Sequence, residues 1–132
     1  MPTKRFFVRL TPLLLILWFV GPIAEPRAET YVPLGQAIVV NLKDDSRPRF
    51  MQINAQAAVS SSAAASRIQT HMPVLRHEVI MMLSGKSWED AQDIEIREQW
   101  REQLLERLRG RMQELTGQPT IDGLYFSDLI VQ

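Results

Sequence analysis

Hydrophobic and polar positions alternate most cleanly between Arg49 and Val59 (RFMQINAQAAV). Met51, Ile53, Ala55, Ala57 and Val59 fall on one side, with Gln52, Asn54 and Gln56 on the other. A period of two marks a half-buried strand. Just before it, Ala37–Leu42 (AIVVNL) is apolar and β-branched, a second strand signal, and Asp44, Asp45, Ser46 and Pro48 make a turn between the two. The pair predicts an antiparallel hairpin.

The period then changes. His71–Leu83 carries Leu75, Val79, Met82 and Leu83 at helical spacing, with Pro73 in the first turn and Gly85 just past the end. Ser87-Trp88-Glu89-Asp90 is a cap followed by first-turn acids. From it one long helix is expected to run to Leu115, with a stripe of Trp100, Leu104, Leu108, Met112 and Leu115 widened by Leu105. Gly117 and Pro119 stop it. Between the hairpin and the first helix, Ser60–Ser66 (SSSAAAS) reads either as a loop or as a first helical turn.

Thr120–Gln132 (TIDGLYFSDLIVQ) is apolar on both sides, with Leu124, Phe126 and Ile130 on one and Tyr125, Leu129 and Val131 on the other. That pattern predicts a central strand, or one covered on both faces. The order is thus β-β-α-α-β, an α+β fold with helices packed on a small sheet. One domain is expected over residues 37–132, preceded by a short extended linker, 29–36, that contains Pro33 and Gly35.

The first 28 residues have a different character. Lys4, Arg5 and Arg9 precede the uncharged run Leu10–Ala24 (LTPLLLILWFVGPIA), the pattern of a signal peptide or membrane anchor. Fifteen residues of helix reach about 22 Å, short of a hydrocarbon core of about 30 Å, which favours a cleaved signal. Adding Phe6–Val8 brings the reach to about 28 Å, and Pro22 and Pro26 stand where a signal peptidase wants small residues, which favours an anchor. Both outcomes put the basic end in the cytoplasm and the domain across the membrane.

Charge adds little beyond this. Lys and Arg number 15, as do Asp and Glu, so no bulk positive field draws nucleic acid. Cysteine is absent, which excludes a disulfide framework and thiolate metal sites. His71 and His77 lie six apart and cannot share a metal as an i, i+4 pair does. Ser60–Ser62 has no nucleophile-elbow context, and Gly85-Lys86-Ser87 lacks the upstream glycine of a phosphate loop. Arg101, Arg107, Arg109 and Arg111 alternate with Glu98, Glu102, Glu106 and Glu114, as on a solvated helix face. No catalytic residue, cofactor or metal site is assigned, and no enzyme activity is expected. Trp88, Arg101 and Arg109 are candidate partner contacts, Trp88 because aromatics dominate interface hot spots and its place at a helix start leaves it more exposed than Trp100.

Several residues together resemble the family of the flagellar basal-body protein FliL, over about Tyr31–Gln132. They are Asn41-Leu42 in the first strand, Arg49-Phe50 opening the second, Pro73 and Arg76 with Leu83-Ser84 in the helix, and the Glu- and Leu-rich stretch Glu102–Leu108. The ending Tyr125-Phe126-Ser127-Asp128-Leu129-Ile130-Val131-Gln132 is similar to the family's terminal strand, with Leu129 replacing the usual aromatic. The resemblance implies a domain like the stomatin-type (SPFH) scaffold, at the bacterial inner membrane in the periplasm, or free in the periplasm if the leader is cleaved. It implies a homo-oligomer that associates with MotA/MotB stators and the basal body and supports rotation and motility. The alternative is a periplasmic adaptor unrelated to motility.

Overall fold

In the computed structural model, residues 29–132 are described, together with Gly21. Apart from that glycine, the signal or anchor assigned to residues 1–28 lies outside the described residues. No helix among them is long and apolar enough to cross a membrane. The elements in chain order are β1 (Thr30–Pro33), β2 (Ile38–Leu42), β3 (Arg49–Val59), α1 (Ser62–Thr70), α2 (Met72–Leu83), α3 (Trp88–Gln92), α4 (Ile94–Thr116) and β4 (Gly123–Val131).

The fold is a mixed one, four antiparallel strands with four helices, and β3 is its axis. Its first half pairs with β2 from Leu42↔Arg49 to Ile38↔Ile53, the predicted hairpin. Its second half pairs with β1, from Pro33↔Gln56 to Thr30↔Val59. Because β4 pairs along Met51–Ala58, β1 and β2 share one edge of β3 and β4 takes the other. The stretch expected to be a linker therefore contributes a strand. Val32 and Leu34 alternate inward and are buried, which fixes the segment onto the sheet.

The inward set of β3 lies under the helices, in one cluster with Ile38, Val40 and Leu42 of β2, Ile68 of α1, Leu75, Val79 and Leu83 of α2, and Trp100, Leu104, Leu108 and Met112 of α4. Ser60–Ser66 resolves into a helix start: the Ser61 hydroxyl accepts the Ala64 N–H at 3.1 Å and α1 follows.

Two expectations change. The single helix from Ser87 to Leu115 is two helices, broken at Asp93, whose backbone is extended (φ −81°, ψ 122°). Its carboxylate accepts the N–H groups of Glu95 (2.8 Å) and Ile96 (3.3 Å), so a side chain that competes with the backbone caps a new helix. Leu115, the last member of the expected stripe, is exposed.

The second change concerns β4, which is an edge strand bonded only to β3 rather than a central one. Its register slips by one residue between Asn54 and Ala55, opposite Ser127. Such a bulge reverses the alternation. Leu124 and Phe126 before it, and Leu129 and Val131 after it, all pack on the core, while Tyr125 and Ile130 share the opposite face. The apolar residues on both sides of the sequence pattern are one buried row interrupted by the slip.

Candidate interaction site

Residues 85–88 run beside the C-terminal end of β2 and bond its outer edge at Asn41 and Lys43. Gly85 N–H donates to Asn41 O (2.8 Å), Lys43 N–H to Lys86 O (2.8 Å) and Trp88 N–H to Lys43 O (3.0 Å). This sets Trp88 against the start of β3, where the Arg49 guanidinium lies 3.9 Å from the indole centroid, a cation–π contact. Arg49 Nε donates to Asp44 Oδ2 at 2.8 Å, and the Ser46 N–H and hydroxyl donate to Asp44 Oδ1. These bonds, Arg49's first, hold the Asp44 carboxyl well below the usual carboxylate range. Around them is a shallow depression of about 530 Å³ that also includes Lys43, Asp45 and Glu89. Trp88 is half-buried, with its ring partly covered by Arg49.

Arg101 and Arg109 do not meet Trp88. They project from α4 to the chain at β4, where Arg101 Nη1 donates to Leu124 O at 2.9 Å and Arg109 Nη1 to Ile121 O. Arg101 Nε donates to the Glu98 carboxylate, which lowers the Glu98 pKa and raises that of Arg101. Arg76, singled out by the resemblance, donates from one nitrogen to Leu34 O (2.6 Å) and Gln36 O (2.5 Å). It clasps the β1–β2 turn, in which Gly35 takes φ +80°. Pro73 sits in the first turn of α2, Leu42 is core, and Asn41 supplies the carbonyl that Gly85 meets. Phe50 and Gln132 exchange both backbone hydrogen bonds, at 3.0 and 2.9 Å.

The sheet face away from the helices has the opposite chemistry. Tyr31, Val39, Phe50, Tyr125 and Ile130 are exposed on it, Val39 at 56 % and Phe50 at 44 %. Gln52 stands between Val39 and Ile130 in register. The Tyr31 and Tyr125 rings meet edge to face at 5.8 Å. Glu29 accepts the Tyr31 hydroxyl, which raises that phenol's pKa. Around the outer edge of β4, a groove of about 390 Å³ is lined by Ile94, Arg97, Arg101, Phe126 and Leu129. The sequence carried a sign of this face, since Val39 and Phe50 occupy the outward phase of their strands, but the slip in β4 concealed Ile130.

Among the described residues, no group of three or more His, Asp or Glu side chains is placed to hold a metal. The open sheet face combines apolar side chains with the neutral polar Gln52, Asn54 and Gln56.

Comparison with known proteins adds two findings. The family model "Flagellar basal body-associated protein FliL" matches residues 31–132. A flagellar protein FliL of Aquifex aeolicus (strain VF5) is 24 % identical over 110 residues, which is 83 % of this chain. The match spans 66 % of that relative, a little under two thirds of its length.

Proposed function

The chain belongs to the FliL family of flagellar basal body-associated proteins, and on that premise we propose that it is a non-catalytic accessory of the flagellar motor. It works by contact with the basal body and the MotA/MotB stators, supports rotation, and associates with copies of itself. Residues 1–28 deliver the domain across the inner membrane, as an anchor or as a cleaved leader, and the domain acts in the periplasm as a stomatin-like scaffold.

The observation that carries this reading is the family match, which runs through every described strand and helix from Tyr31 onward. Physical support comes from the surface. The open sheet face presents aromatic and aliphatic side chains among Gln and Asn, the composition of a contact surface rather than of a reaction site. Membrane confinement raises local concentration and favours weak lateral contacts.

Deleting the gene tests the proposal. Swimming or swarming is expected to weaken, most under high viscous load, while the filament still assembles. Unchanged motility under load, or pull-down partners that include no motor component, would favour a periplasmic adaptor instead.

A further inference from the structure

The open sheet face has an order that a protein interface lacks. Contacts between proteins place apolar residues at the centre and polar ones at the rim. Here the centre is a row of amides, Gln52, Asn54 and Gln56, half-buried and spaced about 7 Å apart along β3. The apolar groups stand towards its two ends, Tyr31 and Tyr125 at one, Val39, Phe50 and Ile130 at the other. Among the described residues no Lys or Arg stands on the outward side of the four strands, and Asp128, beside Asn54, is the one charge there. Such a surface offers nothing to an anionic polymer or lipid headgroup, and only one partner to a cationic group.

Each end has a shape. A Cβ on Gly123 would come within 3.1 Å of the Tyr125 ring, so that ring lies back along the sheet over the glycine. Tyr31 is inclined at 64° to it, and the two half-exposed rings form a corner. At the other end Val39, Phe50, Gln52, Ile130 and Gln132 line a depression of about 160 Å³, apolar walls with two amides.

We infer that this face binds an uncharged glycan chain whose sugars carry acetamido groups. An aromatic ring packs on the C–H face of a sugar without help from charge, and the tyrosine corner supplies that contact. A side-chain amide both donates and accepts, so Gln52, Asn54 and Gln56 each suit a pair of neighbouring hydroxyls, one as donor and one as acceptor. Asp128 accepts from a further hydroxyl. The depression matches an acetamido substituent, its methyl group against Val39, Phe50 and Ile130 and its amide against Gln52 or Gln132. From Gln56 to Gln52 the row covers about 14 Å, a length that linked sugars fill and a single sugar does not. The inference adds a ligand to the motor reading and does not rest on it.

The test is calorimetric titration of the full chain, held in a detergent without a sugar headgroup, with the hexamer of N-acetylglucosamine. Saturation is expected with a dissociation constant of about 1 mM or tighter. The glucose hexamer of the same linkage, which lacks the acetamido groups, is expected to bind about tenfold more weakly. Tyr125→Ala and Gln52→Ala are each expected to weaken binding about fivefold or more, while Tyr125→Phe, which keeps the ring, retains it. Met81→Ala, at an exposed position of α2, is expected to change nothing. Thermal melting checks that each variant is folded. No saturation by the N-acetylglucosamine hexamer, equal binding of the glucose hexamer, or an equal loss in Met81→Ala overturns the inference, and the first of these leaves the face to a protein partner. The deletion phenotype is read separately, so the glycan site and the motor reading fail independently.

Discussion

Asp44 is a turn residue that acquires a second role from its neighbours. Arg49 and Ser46 bond its ionised form, so its folded-state pKa lies below the unfolded value of about 4. A depressed carboxylate stabilises the fold above that pH and loses its contribution as acid titrates the folded group. Asp44→Asn is therefore expected to melt lower than the parent at pH 7, with the difference shrinking below about pH 4, as followed by thermal denaturation across pH. Arg76 makes a stronger claim, since one nitrogen holds two carbonyls of the β1–β2 turn. Arg76→Met keeps the aliphatic stem and removes a charged donor, and is expected to cost about 2 kcal/mol in urea denaturation. The sequence marked Asp44 as a turn residue, and the family resemblance marked Arg76. It could not disclose the reach of the arginines. Arg101 and Arg109 fall in an alternating charge pattern, yet their guanidinium groups end on backbone carbonyls 23 and 12 residues away.

At the scale of elements, the long periodic segments were legible and their interruptions were not. The alternation of β3 and the stripe of α4 at every fourth residue are strong signals because burial enforces them over many residues. The α3–α4 break depends on one carboxylate. Asp93→Ala removes the acceptor for two N–H groups and is expected to lower stability by about 1 kcal/mol in a denaturant titration. The bulge in β4 is less visible still, because a strand that changes phase halfway resembles one with two apolar faces. Deleting Ser127 is expected to restore uniform pairing in the existing register, with Leu129 and Val131 still opposite the buried Ile53 and Met51 and Ile130 still facing out, so the melting temperature should stay close to the parent's.

For the whole molecule, the boundary of the domain is the main correction. A linker was expected up to residue 36, since Pro and Gly punctuate it, but Val32 and Leu34 are core. A fragment of residues 29–132 is expected to unfold cooperatively in denaturant. One of residues 37–132 forfeits two buried side chains, about 2 kcal/mol each, and is expected to be several kcal/mol less stable. The hydrophobic pattern indicated an α+β body, but the full strand order was beyond it, because β1 joins β2 on one edge of β3 only through pairs more than 20 positions apart, whereas β2 pairs with β3 locally.

The Arg76 clasp also has a mechanical meaning. A pull on the chain ahead of Thr30 meets the four β1–β3 pairs and then a turn tied by two short bonds to α2. Force would pass into the helix layer at that point instead of peeling β2 away, and in a stretching experiment the rupture force should fall when the arginine is lost, even at matched thermal stability.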